Sequence, residues 1–324
     1  GVFCWMAWSV SLSSYRLYFW TASLCSNAND MSAVAVLGST GYVGSRFARS
    51  LESRGFKVVG LSRDQLDYTR VEELVLFLRS VRPIFLINAA GFTGKPNVDA
   101  CEAQKAECLF GNSVLPGRVR ESCEQTGIPW GHVSSGCIYS GKRPGGGGWK
   151  ETDKPNFSFR SPPSSFYSGS KALGEEVLEG ADGCFIWRLR IPFDHEVHPR
   201  NYLQKLLHYE TLLEAENSIS HLDEFVESCL KCFESGVEPG TYNLTNQGSI
   251  TTSQVVGWIR EAGVADKEFR FFEDDDDFMS KVASTPRSNC VLDTTKAERA
   301  GVGMRPVEEA VKEALDRMKK VCLA

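Results

Sequence analysis

Residues 33–44 read Ala33-Val-Ala-Val-Leu37-Gly38-Ser-Thr-Gly41-Tyr-Val-Gly44, and this stretch decides the fold. The apolar residues before the glycines predict a short buried strand, and the pattern after them predicts a helix through about Ser53. Gly38 permits a tight turn, Gly41 lets the backbone approach a pyrophosphate, and Gly44 lets the helix pack on the strand. Phosphates would lie at the positive N-terminus of that helix. We therefore expect a dinucleotide to contact the loop residues Gly38, Thr40, Gly41, Tyr42, Val43 and Gly44.

The alternation of strand and helix continues along the chain. Short apolar runs predict strands, and longer amphipathic runs predict helices. The strands are expected at 33–37, 57–61, 84–88, 130–134 and 185–189, and the helices at 71–79, at 99–125 and from Tyr167 onward. Such alternation predicts an α/β fold with a Rossmann-type doubly wound parallel sheet.

After residue 192 the pattern becomes less regular. It predicts a helix at 201–209, a strand at 219–222, a helix at 223–235 and a strand at 240–244 that could rejoin the main sheet. The tail from Thr252 is mostly helical, which predicts a smaller C-terminal substrate lobe, and its acidic run at 273–277 is interpreted as a solvated loop. Residues 1–31 are predicted to be a leader outside the fold. Residues 32–190, with 217–246, are predicted to form an NADP-binding Rossmann domain. Residues 191–216 and 247–324 are predicted to form a substrate-binding lobe.

Composition limits the classes of partner. The chain has 324 residues with 36 basic and 41 acidic side chains and a net charge of −5, so no nucleic-acid-binding face is expected. No apolar run reaches the ~20 residues that a membrane span needs. Eleven cysteines, an odd number spread over a long chain, indicate free thiols in a reducing compartment, and hence a cytoplasmic protein. Cys229 and Cys232 form a lone pair that is interpreted as structural, and no metal site is predicted.

A second group of motifs carries chemistry. Ser134-Ser-Gly-Cys137 ends an apolar strand, and Tyr167-Ser-Gly-Ser-Lys171 opens a helix. Tyr167 and Lys171 lie one helical turn apart, so the ammonium can lower the pKa of the phenol and let it exchange a proton near neutral pH. Ser135 beside them can bind the same carbonyl oxygen. These three residues form the apparatus of a carbonyl reductase, which has no need of Cys137, so a further activity is expected.

The end of the second predicted strand indicates which nicotinamide is used. An acidic residue there would bind the ribose 2′-hydroxyl of NAD, whereas this chain has Ser62 and Arg63, which suit a 2′-phosphate. NADPH is therefore the expected cofactor, with Asp64 as a competing acidic group.

With these motifs in place, the chain from about Ser32 to its C-terminus resembles the extended short-chain dehydrogenase/reductase superfamily, and within it the nucleotide-sugar reductases. Leu66-Asp67 and Asn88-Ala-Ala-Gly91 resemble the dTDP-4-dehydrorhamnose reductases. A closer resemblance is to the bifunctional 3,5-epimerase/4-reductases that make UDP-L-rhamnose. It is carried by Asn88-Ala-Ala-Gly-Phe-Thr-Gly-Lys-Pro-Asn-Val-Asp99, Gly136-Cys-Ile138, Pro155-Asn-Phe157, Pro199-Arg-Asn201 and Pro286-Arg-Ser-Asn289.

The resemblance implies roles for five catalytic residues. Tyr167 would protonate the C4 oxygen of a 4-keto sugar, Lys171 would lower the pKa of Tyr167 and hold the ribose, and Ser135 would polarise the carbonyl. Cys137 and Lys205 match the family positions that act on opposite faces of the sugar, where the ketone acidifies the hydrogens at C3 and C5. A nearby ammonium would lower the pKa of the thiol. A single Cys is usually a buried packing residue, but its place two residues after Ser135 favours catalysis.

The resemblance also implies contacts for the cofactor and the substrate. Asp67 would lie by the adenine, the turn at Ala89, Ala90 and Gly91 under the cofactor, and Asn112 would support Lys171 through water, with a helix-surface Asn as the alternative. Arg287 would clamp the diphosphate, with a surface salt bridge as a nearly equal alternative. The expected substrate-binding residues are Thr93, Lys95, Asn97, Asn201, Arg287 and Asn289.

These features predict an NADP-dependent nucleotide-sugar oxidoreductase with epimerase activity, which converts UDP-4-dehydro-6-deoxy-D-glucose into UDP-β-L-rhamnose. An enzyme that resembles dTDP-4-dehydrorhamnose reductase or GDP-fucose synthase is the alternative, since pocket shape chooses the base. A regulatory subunit that resembles the methionine adenosyltransferase β-subunit is an alternative of another class, although the complete set of Ser135, Tyr167 and Lys171 argues against it. A homodimer is one candidate assembly. His195 and His198 are interpreted as loop histidines and Tyr139 as a packing residue.

Overall fold

The protein is represented by a computed structural model, in which residues 32–322 are described. The predicted leader at 1–31 lies outside the described residues. The strands are, in chain order, β1 (Ala33–Leu37), β2 (Lys57–Leu61), β3 (Phe85–Asn88), β4 (Trp130–Ser135), β5 (Cys184–Leu189), β6 (Pro192–Phe193), β7 (Thr211–Leu212), β8 (Glu216–Asn217), β9 (Ser220–His221), β10 (Gly240–Asn243), β11 (Ile250–Thr251) and β12 (Arg270–Phe271).

Helices connect these strands. They are α1 (Gly44–Ser53), α2 (Val71–Val81), α3 (Ala100–Ala103), α4 (Lys105–Leu109), α5 (Leu115–Thr126), α6 (Phe166–Val177), α7 (Tyr202–His208), α8 (Leu222–Glu234), α9 (Thr252–Ala262), α10 (Asp275–Lys281), α11 (Thr295–Arg299) and α12 (Val307–Cys322), together with a π-helical turn at Phe110–Val114 and a 3-10 turn at Gly136–Ile138.

Six strands form one parallel sheet in the order β10-β5-β4-β3-β1-β2. The strand order reverses between β1 and β3, where Leu37 lies opposite Asn88. Ligands of doubly wound sheets bind outside the carboxyl ends of the strands at such a reversal. The predicted strand at 240–244 does rejoin the main sheet, because β10 pairs with β5 from Gly240 opposite Phe185 onward.

Alternate residues of the strands bury opposite faces of the sheet, as the period of two requires. Val34 and Val36 of β1 pack with α1 and α8, whereas Ala35 and Leu37 pack with α2 and α5. Helices therefore cover both faces, and the predicted fold class is confirmed.

A separate apolar core lies in the C-terminal half and is formed by α7, α9 and α12. The mostly helical tail is thus confirmed, but the acidic run at 273–277 is a correction. Asp274 caps α10 by accepting a hydrogen bond from the N–H of Asp277 at 2.8 Å, and three further aspartates fill the first turn of that helix. Carboxylates are favourable at the positive end of a helix, so the run starts a helix instead of a loop. No helix between residues 32 and 322 is both long and apolar enough to cross a bilayer.

The single helix predicted at 99–125 is the largest correction to the secondary structure. It is divided into α3, α4, the π-helical turn and α5. Gln104 separates α3 from α4 with φ −110° and ψ 54°, which are not helical angles. Pro116 has no N–H to donate to the carbonyl of Asn112 four residues earlier, and the backbone widens into the π turn at this point.

Candidate active site

The glycine loop lies at the carboxyl end of β1, where the strand order reverses. Gly38 has φ +71° and donates its N–H to the Leu61 carbonyl oxygen at 3.1 Å. A Cβ at Gly38 would lie 2.9 Å from the backbone of Ala90, and a Cβ at Gly44 would lie 2.8 Å from the Gly38 carbonyl carbon. Val43 precedes α1 and packs against the apolar core. The loop is therefore a bare backbone cradle at the N-terminus of α1, which fits the pyrophosphate of a dinucleotide.

Side chains border this cradle on one side. Thr40 and Gly41 line a cavity of about 240 Å³ together with Tyr42 and His198. The Tyr42 ring stacks on His198 with ring centroids 4.0 Å apart, and its hydroxyl donates to Asp194 at 3.1 Å. Since protein groups hold the side chain of Tyr42, its contact with a cofactor would come from its backbone.

The Asn-Ala-Ala turn continues the cradle at the end of β3. Ala89 donates its N–H to the Leu37 carbonyl oxygen at 3.1 Å, and Asn88 Oδ1 accepts from the N–H of Ala90 at 3.2 Å. Gly91 follows directly. The turn that the sequence predicted to lie under the cofactor is thus beside the glycine loop.

The residues after β2 show which groups could bind a 2′-phosphate. The Ser62 N–H and hydroxyl both donate to Gln65 Oε1, at 3.0 and 3.1 Å. Arg63 is exposed and, within residues 32–322, makes no hydrogen bond or ion pair. Asp67 is exposed and accepts a hydrogen bond from the Thr69 N–H at 3.2 Å. Among residues 32–322, Arg63 is therefore a cation after β2 that no carboxylate pairs.

Four of the five predicted catalytic residues, Ser135, Cys137, Tyr167 and Lys171, lie near one another at the carboxyl end of β4. Successive side chains of a strand point to opposite faces, so Ser134 donates to Glu175 Oε1 at 2.6 Å while Ser135 faces the other way, toward Tyr167. Ser165 caps α6 by accepting from the N–H of Ser168 at 3.1 Å. This cap fixes the first turn of α6, which carries Tyr167 close to Ser135.

Burial sets the protonation of the reductase pair. Burial is the main cause that raises the pKa of Tyr167 far above its usual range, and its hydrogen bond with Ser135 opposes this rise. Burial also lowers the pKa of Lys171, whose Nζ donates to the Val133 carbonyl oxygen at 3.5 Å. The pKa of Tyr167 is therefore raised by its burial, and Lys171 is not among the main influences on it, contrary to the expected lowering by the ammonium.

Asn112 is buried between the cofactor turn and α6. Its Nδ2 donates to the Phe92 carbonyl oxygen at 2.8 Å and to Ser170 Oγ at 3.0 Å, and its Oδ1 accepts from the Phe92 N–H at 3.0 Å. A Cβ at Gly91 would lie 3.2 Å from Asn112 Oδ1 and 3.4 Å from Lys171 Nζ. The alternative of a helix-surface Asn is therefore wrong, and Asn112 joins the cofactor turn to the helix that carries Lys171.

Cys137 lies in the short 3-10 turn after β4. Its N–H donates to Ser135 Oγ at 3.2 Å, and its side chain is only 5% exposed. Burial is the largest influence on the pKa of this thiol and raises it, while the cations Arg190 and Lys171 act to lower it. A nearby ammonium was expected to lower this pKa, and the cations that act on the thiol in that direction are Arg190 and Lys171.

Lys205 lies on α7 in a cluster of cations. Burial lowers the pKa of Lys205, and the charges of Arg200 and Arg287 lower it further. Its ammonium forms no hydrogen bond or ion pair with the residues described. Arg200 donates to Thr93 Oγ1 and, at 3.4 Å, to a neighbouring carbonyl oxygen. Lys205 is thus near two arginines, of which Arg200 contacts Thr93, a predicted substrate residue.

Arg287 and its neighbours show how the remaining predicted substrate residues are held. Arg287 forms a two-pronged ion pair with Asp99, with both N···O distances 2.7 Å, which favours the salt-bridge alternative over a free diphosphate clamp. Asn97 Oδ1 accepts from the Asp99 N–H at 2.8 Å. Lys95 is exposed, and Asn289 Oδ1 accepts from Asn217 Nδ2 at 3.2 Å.

The prediction that Asn201 binds substrate is corrected. Asn201 is completely buried and caps α7, with its Oδ1 accepting from the Leu203 N–H at 3.1 Å. Its Nδ2 donates to Asp194 Oδ1 at 2.9 Å and to the Glu196 carbonyl oxygen at 2.8 Å. Every polar group of the side chain is satisfied inside the protein, so Asn201 positions α7 and does not reach a ligand.

Two groups that bear on the site were missed. Arg190 is buried beside Gly136 and donates to Asn217 Oδ1 at 2.6 Å, and no short-range spacing signals its position. Glu175 forms a buried ion pair with Arg188 at 2.7 Å and accepts from Ser134. Glu175 could have been found, because it lies one helical turn after Lys171 on the same face of α6.

Two further interpretations concern packing. Tyr139 is buried, stacks on Trp149 with ring centroids 5.2 Å apart and donates to the Asp153 carbonyl oxygen at 2.7 Å, so its packing role is confirmed. Cys229 and Cys232 are buried in the core under the sheet. Within residues 32–322, no group of three or more His, Cys, Asp or Glu side chains is arranged to hold a metal ion.

Comparison with known proteins places this site in a family. Residues 31–320 match the family described as the RmlD substrate binding domain. A bifunctional dTDP-4-dehydrorhamnose 3,5-epimerase/dTDP-4-dehydrorhamnose reductase of Arabidopsis thaliana is 31% identical over 281 residues, which cover 85% of this chain and 90% of that protein.

Solved structures agree in fold. A UDP-rhamnose synthase from Acanthamoeba polyphaga mimivirus superposes with a TM-score of 0.81 at 23% identity, over 89% of this chain and 100% of that one. A dTDP-4-dehydrorhamnose reductase from Bacillus anthracis, solved in complex with NADP, gives 0.74 at 18% identity, over 90% of this chain and 100% of that one. The chain therefore belongs to the RmlD substrate-binding domain family and has the extended short-chain dehydrogenase/reductase fold.

Proposed function

We propose that this chain is an NADPH-dependent reductase of the C4 ketone of a nucleotide-diphosphate 4-keto-6-deoxy sugar. The observation that carries the proposal is the meeting of Ser135, Tyr167 and Lys171 beside a backbone cradle that fits a dinucleotide. The Arabidopsis relative, whose name includes 4-reductase activity, supports it over most of the chain.

Each residue of the site has a separate role in the proposed reduction. NADPH bound in the cradle supplies the hydride, and Arg63 is the cation available to its 2′-phosphate. Tyr167 donates its proton to the C4 oxygen as the alcohol forms, which suits a phenol whose pKa is raised by burial. Ser135 donates a hydrogen bond to the same oxygen. The positive charge of Lys171 stabilises the tyrosinate that remains until solvent reprotonates it.

We also propose a preceding epimerisation at C3 and C5. The C4 ketone acidifies both hydrogens, so one group can remove a proton and another can return it from the opposite face. Burial and the charges of Arg200 and Arg287 lower the pKa of Lys205, which increases the share of its neutral amine and suits a base. The pKa of Cys137 is raised, which keeps a proton on the thiol for donation. These directions of the two pKa shifts favour Lys205 as the base and Cys137 as the acid. The sequence had predicted the opposite role for Cys137, a thiolate that acts as the base.

The specific reaction that we propose is the conversion of UDP-4-dehydro-6-deoxy-D-glucose into UDP-β-L-rhamnose in the cytoplasm, by a chain that could act as a homodimer. The motifs shared with the bifunctional family, including Cys137 after Ser135, support this choice over simple reduction. The dTDP and GDP 4-keto-6-deoxy sugars present the same reactive ketone on a different nucleoside or sugar configuration, so they are the competing substrates.

The experiment that tests this proposal follows NADPH oxidation with a panel of UDP, dTDP and GDP 4-keto-6-deoxy sugars. We expect the highest kcat/KM with the UDP sugar and loss of turnover in Tyr167→Phe, with NADPH binding retained. NADPH binding without turnover of any sugar in the panel would contradict the proposal and favour a regulatory role.

A further inference from the structure

Asp194 lies in the loop after β6 and is completely buried. Its Oδ2 accepts from the hydroxyl of Tyr42, in the glycine loop, at 3.1 Å. The same oxygen accepts from Arg46 Nη2, on α1, at 2.8 Å. One carboxylate oxygen thus holds both the loop of the proposed cofactor cradle and the helix that follows it.

The rest of Asp194 holds the start of α7. Its Oδ1 and its carbonyl oxygen accept from Asn201 Nδ2 at 2.9 and 2.8 Å. Asn201 in turn caps α7 through Leu203, and its carbonyl oxygen accepts the first helical hydrogen bond, from the Lys205 N–H at 3.1 Å. Asp194 and the backbone of Lys205 are therefore joined through one residue, Asn201, by an unbroken chain of hydrogen bonds.

Arg46 has three carboxylate partners, and Asp194 is the one whose carboxylate also bonds to Asn201, while Glu196 reaches Asn201 only through its backbone carbonyl oxygen. It pairs with Asp194, Glu196 and Asp223, whose side chains are 0%, 37% and 45% exposed. Solvent and salt weaken the two exposed pairs far more than the buried one. Asp223 contacts the same guanidinium from α8 at 2.7 Å, with no bond to α7.

We propose that Asp194 is a positioning residue that joins the cofactor loop to α7, so that a nucleotide in the loop orders the helix that carries Lys205. The role of Lys205 in epimerisation rests on the proposed function, whereas the mechanical link rests only on the contacts of Asp194. In this arrangement the bound cofactor holds Lys205 in position beside the sugar. The epimerised ketone then forms next to the NADPH that reduces it.

The test is amide hydrogen–deuterium exchange, read by mass spectrometry on the full chain, with and without NADP⁺. In the wild-type protein NADP⁺ should slow exchange at 38–44 and also at 202–208. In Asp194→Asn the slowing at 38–44 should remain and that at 202–208 should disappear. Asp223→Asn is the matched control, because it removes a carboxylate from the same Arg46, and it should behave like the wild type.

A second measurement reports on the chemistry. With NADP⁺ bound, deuterium incorporation from D2O at C3 and C5 of the 4-keto sugar should fall about tenfold in Asp194→Asn, the cost of one charge-assisted hydrogen bond. If Asp194→Asn does not fold, Tyr42→Phe removes only the bond from the loop and should weaken the response at 202–208.

The outcomes separate the two proposals. If NADP⁺ still slows amide exchange at 202–208 in Asp194→Asn, or in Tyr42→Phe when that variant is needed, the positioning role is overturned. It is also overturned if NADP⁺ does not change exchange at 202–208 in the wild-type protein. If the amide results hold but no 4-keto sugar is processed, the proposed function fails and the role of Asp194 as a link between loop and helix stands.

Discussion

The closest test of the cofactor cradle is the addition of one methyl group at Gly44. A Cβ there would lie 2.8 Å from the Gly38 carbonyl carbon and 3.1 Å from Ser39 Cα, and both are backbone atoms that cannot rotate away. Overpacking of this kind costs about 1–3 kcal/mol, and we expect the upper end for Gly44→Ala because the backbone itself must move.

The same backbone shift should weaken the binding of NADPH more than it lowers the stability of the fold. The loop presents its N–H groups to the pyrophosphate, and one charge-assisted hydrogen bond contributes about 1.5–3 kcal/mol, so the Kd for NADPH should rise at least about tenfold. The measurements are fluorescence titration with NADPH and urea unfolding.

Gly257→Ala is the matched control. Gly257 lies inside α9, and a Cβ there would meet no atom within 4 Å. That variant should bind NADPH normally and gain up to about 1 kcal/mol of stability, because alanine favours a helix over glycine. An unchanged Kd in Gly44→Ala would refute the assignment of the loop as the pyrophosphate cradle.

Three other predictions follow from the site. Glu175→Gln leaves Arg188 buried without its ion-pair partner, so the free energy of unfolding measured in urea should fall by about 3–5 kcal/mol; a change within error would show that the pair contributes nothing. Arg63→Ala should raise the Kd for NADPH about tenfold and leave that for NADH unchanged, and an equal change for both would place the 2′-phosphate elsewhere. The pKa of Lys205 is lowered, so its neutral form grows as pH rises toward that pKa, and deuterium incorporation at C3 and C5 should increase with pH and then level off. Lys205→Met should abolish this incorporation, whereas incorporation that falls as pH rises would assign the base to another group.

Local features of the sequence predicted the sheet and its cradle well. The run from Ala33 to Gly44 has a clear strand period, glycines at fixed offsets and a following helix, and each depends only on neighbouring residues. The same is true of Tyr167 and Lys171, whose separation of four places them on one face of α6. Because these rules act over a few residues, they remain valid when the tertiary contacts are unknown.

Groups that depend on burial or on distant partners could not be predicted. Asp194 and Arg46 are 148 residues apart, and no local pattern links them. Asn201 was expected to contact substrate because a motif includes it, but protein groups that lie next to it in the fold form all of its side-chain hydrogen bonds. The pKa of Cys137 was expected to be lowered by an ammonium, whereas its burial, which the sequence does not show, raises it.

The measurement that tests the central claim most directly is product analysis in D2O. Wild-type protein with UDP-4-dehydro-6-deoxy-D-glucose and NADPH should give UDP-β-L-rhamnose that carries deuterium at C3 and C5, and Cys137→Ala, with Ser135, Tyr167 and Lys171 intact, should lose this inverted product because no acid returns a proton from the opposite face. A wild-type product reduced at C4 without ring deuterium would contradict the two-step account, and the chain would then be a 4-ketoreductase alone.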